Sequence, residues 1–385
     1  MMQKEIIVIG DVELGSGNLT DDFISDRALS TLLVSLGQKS HPVDLVMNGD
    51  TFDFLKCPFY KDGKATYPRH ITKEISLMKL QNIYRAHERV FKAWKEFVSH
   101  PKNNLYFIVG NHDHELVYPE VQEDIKVLLG GTENIHFPGL VYKNNGVYVE
   151  HGHQYDFLHE INFDNLFLSY QGSSVLNFPW ISFGLMTAFM DIKEEHPFLE
   201  RITPKASLLN LHHLVLRKIS VRSISYFFKS LLYYPFRYYS DPTYTRPNSL
   251  FGELLRRLKN KHFDVDEIMN VFLKRQKKVL PQYKIFVLGH IHQTYEKQKK
   301  DCVVIHPGSW RDEYNLDLKS KMLKPRLKHY VDIKISDKGL RYETKEYLIK
   351  RSIFSFDEVI KDERKYLEVA AQEEGYSFPE PLNKR

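Results

Sequence analysis

The chain alternates between short, unbroken apolar runs and longer stretches in which apolar residues return every three or four positions. The short runs are EIIVIGD (5–11), DLVMNGD (44–50), NLYFIVGNHD (104–113), GVYVEHGH (146–153), KIFVLGHIH (284–292) and CVVIHPGSW (302–310). Each is too short for a helix and lacks the polar alternation of a half-exposed strand, so each predicts a strand buried on both faces. Between them lie helical patterns, including Thr72 to Val98, where Phe91, Trp94 and Val98 share one face. Strands alternating with helices predict an α/β layered core, with ligand chemistry gathered beyond the carboxyl ends of the strands.

From about residue 157 to 280 the strand pattern stops, and the chain reads as helices and aromatic loops. Phe251, Leu254, Leu255 and Leu258 form an apolar stripe there, followed in the same style by Ile268, Val271 and Phe272. Strands resume at Lys284. The expected organisation is therefore one core, 1–156 and 281–350, interrupted by a mainly helical insertion, 157–280. A tail, 351–385, is expected to be helical with a loose end from Pro379 to Arg385.

Composition narrows the picture only slightly. The 385 residues are 27% charged and 42% hydrophobic, as in ordinary soluble globular proteins. A net charge of +5 is too small to mark a nucleic-acid binder. Two cysteines, Cys57 and Cys302, exclude a disulfide framework and fit a reducing cytoplasm. The opening MMQKEIIVIGD enters a strand at once and is charged too early for a signal peptide.

The polar residues at the strand ends change the picture more. They are Asp11, Glu13, Asp50, Asp53, Asn111, His112, Asp113, His151, His153, His290 and His292. A single Gly-Asp turn or lone histidine is ordinary. So many carboxylates and imidazoles gathered at one edge would be costly unless something positive compensated them, and divalent cations accept such mixed shells.

GD-x-E, GD-x-x-D, GNHD, HGH and GHIH, in that order, resemble the five blocks of the calcineurin-like metallophosphoesterases. The resemblance implies a β-sandwich flanked by helices, with two divalent metal ions at one edge. It implies Asp11, Asp50 and His292 around one ion, with whatever fills the second position of the first block. Asp50, Asn111, His151 and His290 would surround the other, with Asp50 bridging. His112 would stand near the leaving group with Asp113 orienting its ring, and Asp53, His153 and Asp156 would support the ligands from behind. The implied activity is hydrolysis of a phosphomonoester, phosphodiester or pyrophosphate by a hydroxide shared between the ions.

The family usually shows Asp-x-His in its first block, where this chain has Asp11-Val-Glu13. Glu13 could ligate, point away or mark the loss of one metal; ligation is the expectation, since Glu reaches about as far as His. A third carboxylate would lower the site's positive charge. That favours Mn²⁺ over Zn²⁺, with Mg²⁺ and Fe²⁺ also suited, and moves the rate optimum to alkaline pH.

Between Arg201 and Tyr239 stand seven basic residues and no acidic one: Arg201, Lys205, Arg217, Lys218, Arg222, Lys229 and Arg237. Aromatics interleave with them in SYFFKSLLYYPFRYYS, and Asn165 to Met190 is uncharged. These aromatics could be the insertion's own core, a membrane contact through 165–240 that makes the protein peripheral, or a nucleic-acid groove. GDTFDF also resembles the branch containing UDP-2,3-diacylglucosamine hydrolases, which suggests a lipid- or nucleotide-linked substrate. The rival readings are a nuclease of the DNA-repair metallophosphoesterase type and a non-catalytic scaffold with the same fold.

Overall fold

The computed structural model describes residues 2–205, 208, 211–247, 249–259 and 265–379. Two sheets face each other. The first has six strands, in the order Gly339–Tyr347, Lys328–Ser336, Met2–Ile9, Val43–Met47, Asn104–Phe107 and Ile135–His136. The second has five, in the order Thr294–Gln298, Val303–Pro307, Ile285–Leu288, Val147–Glu150 and Val141–Asn144.

Every strand expected from an apolar run is present, and the packing explains why the runs are unbroken. Ile6, Val8, Val46, Val147, Val149, Ile285, Val287, Val303 and Ile305 meet between the sheets. Their neighbours Ile7, Ile9, Leu45, Met47, Leu105 and Phe107 face outward onto helices, against Leu29, Leu33, Phe91, Trp94 and Phe97. On the far side, Tyr148, Phe286, Leu288 and Val304 are covered by Ile268, Met269 and Phe272 of the helix Val265–Arg275. With both faces dry, neither parity of a strand can be polar. The result is the helix-flanked β-sandwich that the sequence resemblance implies.

The central strands of each sheet run parallel: Met2–Ile9 with Val43–Met47 and Asn104–Phe107, and Ile285–Leu288 with Val147–Glu150 and Val303–Pro307. Parallel pairing brings their carboxyl ends to common edges, and the polar turns gather there.

Three expectations change. The insertion is not free of strands: Phe167–Tyr170 and Ser173–Leu176 form a hairpin, and Ile202–Thr203 pairs in parallel with Tyr314–Asp317. The pattern from Thr72 to Val98 is two helices, Lys73–Ala86 and Glu88–Ser99, broken at His87. That ring is buried between Asp26, 2.8 Å from Nδ1, and Asp21, 3.0 Å from Nε2, and the backbone turns to deliver it. The tail is not merely a helix either. Phe354–Ser355 joins the small sheet of Ile202–Thr203, Tyr314–Asp317 and Met322–Pro325. Helix Glu363–Glu373 then buries Leu367, Ala370 and Ala371 against Phe198, Tyr314 and Phe354.

Of the expected stripe in the insertion, Leu254, Leu255 and Leu258 lie outside the described side chains, Phe251 is exposed, and Ile268 and Phe272 are buried. Glu380 to Arg385 also lie outside the described residues. Among those described, no helix is long and apolar enough to cross a membrane.

Candidate metal centre

The site is built from turns that follow the strands. Asp11, Glu13, Asp50, His290 and His292 all take positive φ, at 51°, 56°, 48°, 79° and 59°. Such conformations are uncommon outside glycine and cluster where function imposes them, at a cost of about 1–3 kcal/mol each. Here they swing each side chain off its strand toward a common point. The glycines of the same turns leave the space. A Cβ on Gly49 would sit 2.6 Å from the His151 ring, and one on Gly110 would sit 2.1 Å from Asp50 Oδ1.

Asp50 is the hub. Its Oδ2 lies 3.1 Å from His151 Nε2, and its Oδ1 accepts the backbone N–H of His112 at 2.8 Å. Asn111 Oδ1 lies 3.2 Å from the same His151 nitrogen. Asp11 accepts the His290 N–H at 3.0 and 3.3 Å, and its Oδ1 lies 3.4 Å from His292 Nε2. Asp11, Asp50 and His151 are buried, whereas the rings of His112 and His292 remain 16% and 19% exposed. Solvent therefore reaches the cluster over those two imidazoles.

The imidazoles share a pattern. One nitrogen of His151 faces the Asn48 carbonyl at 2.8 Å, and one of His292 faces Glu313 at 3.1 Å. His290 Nε2 faces Asp156 at 3.4 Å, and His112 Nδ1 faces Asp53 at 2.9 Å. Each acceptor fixes a tautomer and a ring plane, which is how outer partners support metal-binding histidines. Asp156 also bonds His159, 2.9 Å from its Nδ1.

Two supporting roles read from the sequence change. The carboxylate that orients His112 is Asp53. Asp113 instead accepts the N–H groups of Gly110 at 2.5 Å and Thr51 at 2.8 Å, so it braces the loop. Burial and the nearby Asp50 carboxylate push Asp113 up to about 7. The His153 ring has no hydrogen-bond partner among the described residues; burial holds it well below the usual imidazole range, and it packs neutral against His151 with ring centroids 5.3 Å apart.

Both oxygens of Glu13 are engaged, and Arg311 reaches Oε1 at 3.4 Å as well as Oε2. Oε2 is fastened by Lys56 at 2.7 Å and Arg311 at 3.3 Å, while Oε1 lies 3.4 Å from His292 Nε2. Burial opposes its charge, but Arg311 and Lys56 outweigh burial and hold it at about 2. Lys56 further binds Asp22 at 2.6 Å and Asp53 at 2.8 Å. Lys193 binds Asp22 at 2.5 Å and Glu200 at 2.7 Å. Arg201, wholly buried, donates to the Asp21 and Asp22 carbonyls. Lys56, Lys193, Arg201 and Arg311 thus face Glu13, Asp22, Asp53 and Glu200, sign for sign. The charge argument from the sequence left these cations out. Glu13 is compensated within the protein, so the ground for expecting an alkaline optimum is gone. Arg201 likewise serves the site rather than an outer surface.

Sequence reasoning missed Lys56, Arg311 and Glu313. The last two lie in GSWRDE, directly after the strand Val303–Pro307, where the same strand-end logic applies.

The donor set fits divalent cations. Ligand atoms of Asp50, His151 and His290 lie within 4.8 Å of one another, as do those of Glu13, Asp50 and His112, and Asp50 belongs to both groups. Carboxylate, amide and imidazole donors with fixed tautomers form a mixed oxygen and nitrogen shell.

No family model matches the chain, and no curated protein matches it. Solved structures do. A conserved uncharacterized protein, a predicted phosphoesterase from Streptococcus pneumoniae TIGR4, is 10% identical, with 92% of this chain and 99% of that chain covered and a TM-score of 0.30. An archaeal phosphodiesterase is 10% identical over 89% of this chain and 99% of that one, with a TM-score of 0.30. A putative 5'-nucleotidase from Staphylococcus aureus is 14% identical over 95% of this chain and 58% of that one, with a TM-score of 0.32. Likenesses of this degree carry no argument about chemistry, which rests on the site itself.

Proposed function

We propose that this chain is a metal-dependent phosphoesterase, acting on a phosphomonoester, phosphodiester or pyrophosphate. The observation that carries the reading is the double role of Asp50, which faces His151 on one oxygen, receives the His112 N–H on the other, and lies among donors of two sets, one with His151 and His290 and one with Glu13 and His112. Asp50, Asn111, His151 and His290 would hold one cation, and Asp11, Asp50, His292 and Glu13 the other, Glu13 through the oxygen that Lys56 does not take. The oxygen-rich set suits Mn²⁺. When bound, two such ions would neutralise charge on the phosphoryl oxygens and make water acidic enough to ionise near neutral pH.

The residues of the chain do the rest. Asp53 fixes Nδ1 of His112 and leaves Nε2 free toward solvent, so His112 is placed to protonate the departing oxygen. Burial works against its charged form, but Asp50, Glu13 and Asp53 outweigh burial and hold the imidazole up at about 9. With cations answering Asp50 and Glu13, the Asp53 carboxylate would remain to favour the protonated imidazole that a general acid needs. Arg311 and Lys56 keep Glu13 ionised and in place. Asn48, Glu313 and Asp156 keep the His151, His292 and His290 rings turned to the site.

The test is a panel of p-nitrophenyl phosphate, bis-p-nitrophenyl phosphate, nucleoside diphosphate esters and UDP-linked lipids, turned over by Mn²⁺-loaded wild type and Asp50→Ala. Hydrolysis of at least one ester class by wild type and by no variant supports the reading. Absence of turnover across the panel, or turnover that survives in Asp50→Ala, refutes it.

A further inference from the structure

The helix His213–Leu232 is amphipathic with its apolar face on the outside. Its buried contacts are few: Val215, Tyr226 and Ser230 point inward. On the opposite side Leu214, Val221, Ile224, Phe228 and Leu232 recur at spacings of three, four and seven, which places them on one stripe. Each is between 52% and 71% exposed. The following turn continues the stripe with Phe236, 76% exposed, and Tyr239, 91% exposed. Isolated exposed apolar residues are ordinary, but a contiguous row of large ones marks an interaction surface.

The charge around the stripe selects the partner. Arg217, Lys229 and Arg237 flank it and form no ion pair among the described residues, and the segment 201–240 contains no acidic residue. A second copy of this face would bring Arg217, Lys229 and Arg237 against like charges, because the neighbouring carboxylates Asp191 and Glu195 are already taken by Arg222 and Lys218. Apolar and aromatic side chains flanked by basic ones, on a helix unable to span a bilayer, match a lipid headgroup boundary.

We propose that His213–Leu232 and the turn to Tyr239 form a docking face for an anionic membrane surface. A series of ion pairs runs from this helix to Glu13 through the helix Met190–Glu195, Asp22 and Lys56. Arg222 bonds Asp191 and Lys218 bonds Glu195, at 2.5 Å each, on the helix Met190–Glu195. Lys193 of that helix binds Asp22, which binds Lys56, the partner of Glu13.

The 385-residue chain would be floated with vesicles of phosphatidylcholine alone and with about one third phosphatidylglycerol. Wild type is expected on the anionic vesicles, less at high salt, and to stay in solution with phosphatidylcholine. A variant Ile224→Asp/Phe228→Asp/Phe236→Asp is expected to lose binding at least about tenfold. A second, Arg217→Glu/Lys229→Glu/Arg237→Glu, is expected to lose the preference for anionic lipid. All these side chains are on the surface, and unchanged melting would show that both variants fold. Wild type that stays in solution with both vesicles overturns the proposal, as does binding that survives both variants. Concentration-dependent dimerisation abolished by the Asp variant overturns it in favour of self-association. None of these readouts depends on turnover, so they stand apart from the test of phosphoesterase activity.

Discussion

His112 takes its orientation from Asp53, 2.9 Å from its Nδ1, although Asp113 is its neighbour in the chain. Asp53 comes from the second turn and His112 from the third, so the pair fastens two strand ends together. Asp53→Ala should lower kcat roughly 10- to 100-fold while leaving metal content intact. Asp53→Asn keeps an acceptor but removes the charge that holds the imidazole up. Activity that needs protonated His112 should then fall off at lower pH than in wild type. A pH–rate profile checks this, and an unmoved alkaline limb would assign the limb to another group.

Gly110 of GNHD is a spacer for Asp50. A Cβ there would meet Asp50 Oδ1 at 2.1 Å and the Asp50 backbone nitrogen at 2.3 Å, so Gly110→Ala must push the hub carboxylate aside. Displacement by about 1 Å can cost on the order of 100-fold in rate, and that loss is the expected outcome with a native circular dichroism spectrum. Gly252, which like Gly110 lacks a positive φ and has nothing within 4 Å of an added Cβ, is the control.

Glu13→Ala should destabilise the fold as well as the site. It strips a carboxylate from buried Lys56 and Arg311, a change expected to cost roughly 3 kcal/mol. Urea unfolding of the metal-free protein reads this directly. A loss below about 0.5 kcal/mol would show that Asp22 and Glu200 satisfy both cations alone.

Two histidines that are given no metal-binding role set opposite pH limits on stability. Burial opposes the charged form of His87, but Asp26 and Asp21 outweigh burial and raise it to about 10. A raised value means that its stabilisation is complete below the unfolded pKa, about 6.5, and is lost as pH climbs through about 10. Burial lowers His114, whose ring has no hydrogen-bond partner among the described residues, to about 3. Its contribution is complete above about 6.5 and lost as pH falls toward 3. His87→Gln should therefore flatten the alkaline fall in unfolding free energy, and His114→Phe the acid one. Parallel pH profiles for the variants and wild type would contradict these assignments.

The sandwich was legible because both faces of its strands are covered, which leaves runs such as IIVI at 6–9 without a polar break. The positions of Asp11, Asp50, Asn111, His151, His290 and His292 were legible for a related reason: polar residues recur where those runs stop. What the sequence did not show is held by contacts across long separations. Arg311 meets Glu13 across 298 positions and Lys193 meets Asp22 across 171, and nothing local in either segment announces the pairing. The break at His87 is similar. Its helical pattern runs on without interruption, and only the carboxylates of Asp21 and Asp26 give the ring a reason to turn inward. The face of His213–Leu232 was half legible: its residues read equally as a core, and only packing shows that the row from Leu214 to Leu232 points out.

The most direct test is to measure metal content and hydrolysis of bis-p-nitrophenyl phosphate and p-nitrophenyl phosphate on one sample. The sample is followed as isolated, after chelation and after Mn²⁺ is restored. The account predicts that two ions per chain leave on chelation, that turnover leaves and returns with them, and that His151→Ala retains at most one ion and negligible activity. Turnover that persists in the metal-free chain, or a His151→Ala protein that binds and hydrolyses like wild type, would contradict it.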